Sequence, residues 1–293
     1  MKRISYIFLT FGLISCATIS PAKKELLSLD NHSVIEGTIE NGTVKKVYFP
    51  YPFKEIQAKL FCKDVEMVMD TVKDAKSMVY VSADRHIDAG SINCEYRFSV
   101  DEEKKSLVVA NFEIKKAKYP LKKLKVAKKY AKLSDKTIER WKKETAHMKK
   151  VYTDIIRDRK LFSEDFKKPL NSKITAIYGS KRVFNDLKHS WHSGIDFRAR
   201  PGTKIPASNR GRVILARHHF FTGKTIIIDH GMGIQTMYCH LSKFKVAEGD
   251  IVPKGGIVGL SGNTGRSSGP HLHWGVRVNE NWINGFTLLD IKH

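Results

Sequence analysis

Three short histidine segments stand in the last third of the chain: His192-Ser193-Gly194-Ile195-Asp196, Tyr238-Cys239-His240-Leu241 and Gly269-Pro270-His271-Leu272-His273-Trp274. In extended backbone, side chains two or four residues apart share a face. His192 and Asp196 then point one way together, as do His271 and His273, while Ile195 and Leu272 turn to the opposite face and into a core. Two imidazoles and one carboxylate suit a catalytic zinc ion (Zn2+), which takes three protein ligands and keeps a fourth position for water. A His-x-His pair by itself is more often an ordinary half-exposed pair than a metal site. The weight therefore comes from what surrounds these segments.

Around them run Pro201-Gly202-Thr203, Gly211-Arg212-Val213, Asp229-His230-Gly231-Met232-Gly233, Lys254-Gly255-Gly256 and Ser261-Gly262-Asn263-Thr264-Gly265. Short apolar runs such as Val213-Ile214-Leu215 and Thr225-Ile226-Ile227-Ile228-Asp229 read as buried strands with glycine at the turns. Many such strands predict an antiparallel sheet folded into a sandwich or barrel-like form. From about residue 165 to 285 the sequence resembles the lysostaphin/LytM-type zinc endopeptidases, which cut peptidoglycan cross-bridges. The resemblance implies a mainly β fold, a compact antiparallel catalytic domain of the duplicated hybrid motif type with a groove above one zinc ion. It implies His192, Asp196 and His273 as the zinc ligands, and His240 and His271 as the two histidines that flank the reacting water. The implied substrate is the peptide stems of peptidoglycan. Catalytically silent LytM-type modules that activate a separate wall amidase are the alternative, but such regulators have lost ligands, and here all five positions are filled. The remaining histidines His189, His218, His219 and His230 read as surface or hydrogen-bonded structural groups, and Phe220 and Phe221 as packing residues in a loop.

The chain has 293 residues and a formal charge of +22. That length suggests about two domains, and the charge favours an acidic partner. The N-terminus argues against nucleic acid as that partner. Met1-Lys2-Arg3 precedes an apolar run over 4–14, the length of a secretory h-region and too short to span a bilayer. Leu13-Ile14-Ser15-Cys16 resembles a bacterial lipobox, which makes Cys16 the lipidated residue of an exported, periplasmic protein tethered to the outer membrane; a plain signal cut after Ala17 or Ala22 is the alternative. An oxidising compartment permits a Cys62–Cys94 disulfide. Cys239 is expected to be a small buried thiol facing away from the site.

The expected organisation is a leader over 1–16, a tether over 17–32, a small antiparallel β domain over 33–118, a basic helical segment over 119–162 and the zinc peptidase domain over 163–293. Asn41-Gly42 between alternating residues is a hairpin signal. Cys94, Tyr96, Phe98 and Val100 alternate as a half-buried strand, as do Ala110, Phe112 and Ile114. Asp84, Arg85, His86 and Asp88 read as solvated loop residues. Ile138, Trp141, Met148, Tyr152 and Ile155 recur at threes and fours behind an N-cap at Ser134 or Asp135, a helix whose lysines could face anionic lipid or wall polymer. The many residues ahead of a self-sufficient catalytic fold raise the expectation that they cover its groove.

Overall fold

The computed structural model describes residues 33–51, 53, 56–72, 76–124, 133–157, 159–184 and 188–293. The leader, the lipobox at Cys16 and the 17–32 tether lie outside the described residues.

The molecule is mainly β. The C-terminal part is built on a ten-stranded sheet in which every pairing is antiparallel. Strand Gly194–Arg198 lies beside His271–Val278, which lies beside Ile234–Phe244, which in turn pairs with Gly223–Asp229. One face of this sheet carries Ile195, Leu272, Trp274, Val276 and Tyr238 into the main core. Trp274 and Tyr238 sit opposite each other and are fully buried. The glycine-punctuated apolar runs thus form the strands that their composition predicts.

The N-terminal region is less simple than a single antiparallel domain. Its five-stranded sheet is mixed, because Ile35–Glu40 runs parallel to Glu103–Lys115. The long hairpin Ser91–Val100 with Glu103–Lys115 shows the expected alternation, with Cys94, Tyr96, Phe98 and Val100 all buried. A separate three-stranded sheet contains Val44–Pro50, Lys76–Ser82 and Asp70–Val72. Its middle strand has Val79 and Val81 in the N-terminal core and Met78 and Tyr80 in the core of the C-terminal sheet. A strand buried on both faces reads as a continuous apolar run instead of an alternating one, and Met78-Val79-Tyr80-Val81 is such a run. The two halves of the chain therefore share a core.

Asn41-Gly42 turns the chain, but the strands on either side do not pair with each other; they enter different sheets. The Asn41 side chain is buried and bonded instead. Its amide donates to the Arg85 and Ile87 carbonyls at 3.1 and 3.0 Å, and its oxygen accepts from the Ala117 amide at 2.8 Å. Those tertiary bonds override the local hairpin preference. Cys62 and Cys94 face each other across neighbouring strands and form a disulfide. Such a bond fits a protein outside the cytoplasm.

The helix forms over Asp135–Thr153, with Ser134 as N-cap accepting from the Thr137 amide. Only Val151 is buried along it, so the lysine-rich faces are solvated as their spacing predicts. Its last turns, Met148, Val151 and Tyr152, pack on Leu215, Ile227, Met237 and Cys239 of the large sheet.

Candidate metal centre

Register brings the site together. Asp196 lies directly opposite His273, and Arg198 opposite His271, in the antiparallel pairing of their strands. Directly opposed residues project from the same face, so a carboxylate and an imidazole from distant stretches of chain become neighbours. His192 comes from the connection just before Gly194–Arg198. The chain there passes so close that a Cβ on Gly194 would lie 2.3 Å from the Trp274 carbonyl and 2.8 Å from the His273 ring. Glycine is required at that crossing.

His192 Nε2, Asp196 Oδ1 and His273 Nδ1 converge, with separations of 2.8 Å (His192 to Asp196), 2.9 Å (His192 to His273) and 2.9 Å (His273 to Asp196). All three residues are buried. His192 Nδ1 donates to the Ile177 carbonyl at 2.7 Å, which leaves Nε2 of the neutral ring as a lone pair aimed at the other two donors. Burial pushes His192 down to about 4, against the opposing pull of Asp196. Burial also works to raise the Asp196 carboxyl, but its interactions with His192 and His273 outweigh this and hold it well below its ordinary range. Arg182 Nη2 donates to Asp196 Oδ2 at 2.8 Å, so the carboxylate is fixed from behind. An anionic oxygen and lone-pair nitrogens packed this closely make a donor set that fits a divalent cation.

His240 and His271 stand beside the triad. Their ring centroids are 4.7 Å apart, His240 lies 6.1 Å from the His273 ring, and His271 Nε2 lies 3.8 Å from Asp196 Oδ1. Each donates from Nδ1 to a carbonyl, His240 to Thr264 and His271 to Gly269, both at 2.7 Å. Burial, then the neighbouring rings of His271 and His273, push His240 down to about 3. Both rings thus present Nε2 as the free acceptor when neutral.

His240 reaches the site through a bulge. Lys224 pairs with Leu241 and Ile226 with Tyr238, so Cys239 and His240 together face one residue, Thr225. His240 takes a left-handed φ of 61°, the kind of backbone strain that collects at functional positions. The bulge also corrects the expectation for Cys239. The thiol is buried and free, but it lies directly opposite His273, on the site's own face of the sheet. Burial pushes it up to about 12, so it stays protonated and inert.

These groups form the floor of a groove of about 420 Å³, walled by Trp191, Phe221 and the 266–270 loop. Lys122, Arg182, Arg198 and Arg266 line it, four cations that no short motif marks; clustering of arginines on strands next to the histidine segments is the one available signal. Phe221 is a wall residue as well as a packing residue, since Trp141 of the helix meets it edge-on and Glu144 accepts from the Phe220 amide at 2.9 Å. Among the described residues ahead of 163, Lys122 alone lines the groove. The described residues of the N-terminal region thus flank the groove at Lys122. His230 is structural: it is fully buried and bonded to the Arg210 carbonyl and the Thr236 hydroxyl, both at 2.8 Å.

The sequence model of Peptidase family M23 matches residues 190–285. The C-terminal domain belongs to peptidase family M23. Within that family the M23 domain of this chain is 39% identical over 119 residues to the peptidoglycan DD-endopeptidase ShyA of Vibrio cholerae, covering 40% of this chain and 28% of that protein. The chain thus spans little more than a quarter of that curated relative. It is 31% identical to the catalytic domain of lysostaphin from Staphylococcus simulans, covering 41% of this chain and 94% of that one, with a TM-score of 0.38. A Pseudomonas aeruginosa protein assigned to peptidase M23 matches 85% of this chain and 94% of its own at 25% identity, with a TM-score of 0.65. That likeness takes in the N-terminal sheets as well as the M23 domain.

Proposed function

We propose that this protein is a zinc-dependent endopeptidase that hydrolyses peptide cross-links of bacterial peptidoglycan, with residues 163–293 as its peptidase unit. The observation that carries the reading is the convergence of His192 Nε2, Asp196 Oδ1 and His273 Nδ1 within 2.9 Å of one another at the floor of an open groove. Two nitrogens and one oxygen are the protein ligands that zinc takes when a fourth position serves the reactant. When bound there, zinc lowers the pKa of water to about 7 and polarises a carbonyl.

The residues of the chain supply the rest. Ile177 and Arg182 orient two of the ligands through His192 Nδ1 and Asp196 Oδ2. His240 and His271, anchored through Nδ1, turn Nε2 toward the reacting groups. One neutral ring accepts the proton of the attacking water at Nε2 and, as the imidazolium, returns it to the leaving amine. The other donates to the oxyanion from Nε2 when it is protonated there. Four cations along the groove favour a stem peptide that carries carboxylates. The name of the Vibrio relative, a DD-endopeptidase, extends the reading to a D,D cross-link.

The test is to incubate the zinc-loaded full chain with sacculi, with and without chelator, and to weigh the products. Chelator-sensitive loss of cross-linked dimers is expected, and dimers left intact by fully loaded protein would overturn the reading. Export with a lipid on Cys16 belongs to the same proposal: metabolic labelling with palmitate should mark the wild type and not Cys16→Ser. The exposed lysines of the Asp135–Thr153 helix would then hold the enzyme against anionic lipid or wall polymer in a salt-sensitive way.

A further inference from the structure

Arg85 is not a solvated loop residue. Its Nε and Nη1 are buried and find no hydrogen-bond partner among the described residues. The guanidinium instead lies 5.6 Å from the Tyr178 ring centroid and 5.8 Å from that of Trp191, where a cation gains from the negative faces of the rings. The neighbouring His86 meets Trp191 edge-on at 5.2 Å. Tyr119 meets both aromatic rings edge-on, at 5.9 Å from Tyr178 and 6.2 Å from Trp191. Asn41 ties the arrangement down, since its amide donates to the Arg85 carbonyl and its own carbonyl accepts from the Tyr119 hydroxyl at 2.6 Å.

What this cluster grips is the support of one metal donor. Trp191 directly precedes His192. Tyr178 directly follows Ile177, whose carbonyl fixes the His192 ring. The backbone of His192 is bonded on both sides to the same turn, through the Gly179 amide at 2.8 Å and the Ser180 carbonyl at 2.9 Å. Tyr119 lies so close over that turn that a Cβ on Gly179 would be 2.2 Å from its ring. A second connection reaches Asp196: strand Leu121–Leu124 pairs in parallel with Lys181–Phe184, which carries Arg182. Arg85, Tyr119, Tyr178, Arg182 and strand Leu121–Leu124 all lie outside the M23 match.

We infer that the N-terminal β region is a working part of the metal site, with Arg85, seated against Trp191 and Tyr178, acting as a positioning residue for His192. The inference rests on the metal-site reading above. Groups that orient metal ligands change affinity by roughly 10–100-fold when removed.

The experiment uses the full chain as wild type, Arg85→Ala and Arg85→Lys. Zinc affinity is measured by competition with a chromophoric chelator, and ligand geometry by the absorption spectrum of the cobalt(II) form. Arg85→Ala should bind zinc about 10–100-fold more weakly with an altered cobalt spectrum, and Arg85→Lys, which keeps the cation, should recover most of the affinity. Arg85→Ala with wild-type affinity and spectrum would overturn the inference while leaving the metal site intact. Should Arg85→Ala not fold, Trp191→Phe decides by the same two measurements, weaker binding supporting the inference and unchanged binding overturning it. A wild-type chain that takes up no zinc sinks the metal-site reading, and this inference with it.

Discussion

His230 is fully buried beyond the metal donors, packed edge-on against Phe166 at 5.0 Å, and burial pushes it from 6.5 down to about 4. Its effect on stability can be worked out directly. Between pH 6.5 and 4 the unfolded chain binds a proton at this position and the folded chain does not, so stability falls as pH falls. Each pH unit in that window is worth 1.36 kcal/mol, and the window from 6.5 to about 4 makes the total about 3 kcal/mol. The perturbation is His230→Asn, which keeps an N–H donor for the Arg210 carbonyl and cannot titrate. Urea unfolding of both proteins at steps from pH 7.5 to 4 isolates the residue, because every other histidine contributes equally to each. At neutral pH the variant should be less stable by about 1–3 kcal/mol, having lost packing and the Thr236 bond. Toward pH 4 the gap should close or reverse by about 3 kcal/mol. Two stability curves that stay parallel across this range would refute the argument that His230 is held neutral in the fold.

Three further outcomes follow from the geometry. Alanine at His192, Asp196 or His273 should abolish zinc retention, whereas His240→Ala and His271→Ala should keep stoichiometric zinc by elemental analysis and lose roughly 10²–10⁴-fold in turnover; full activity in Asp196→Ala would end the ligand assignment. Replacing Cys62 and Cys94 by serine opens a loop with a sequence separation of 32, which should cost about 3–4 kcal/mol in chemical denaturation. Gly194→Ala should disturb the site more than any exposed alanine, since its methyl would meet the Trp274 carbonyl and the His273 ring; wild-type zinc affinity in that variant would show that the crossing has room to spare.

What could be read from the sequence was whatever lay within a few residues. Alternation put His271 and His273 on one face and Leu272 on the other, and the structure keeps that arrangement because strand His271–Val278 is regular. The same rule failed at Cys239, where a bulge places two consecutive residues opposite Thr225 and a left-handed residue follows. Histidine is enriched among non-glycine residues at positive φ, but such residues are uncommon and that preference alone does not mark a bulge. What holds it is tertiary: the Thr222 carbonyl accepts from the His240 amide at 2.9 Å, and the Thr264 carbonyl takes its ring N–H. Asn41-Gly42 failed in the same way, its side chain satisfied by the Arg85 loop and not by a hairpin partner. Arg182 carried no signal beyond the clustering of arginines near the histidine segments, since its importance lies in an ion pair with Asp196 across 14 residues and two strands. The donors themselves are thus local words in the text, while the groups that aim them are supplied by register, by a bulge and by a neighbouring sheet. A metal site whose ligands are legible but whose supports are not should fail through Arg85 or Arg182 as well as through the histidines, although local rules pass those two arginines over.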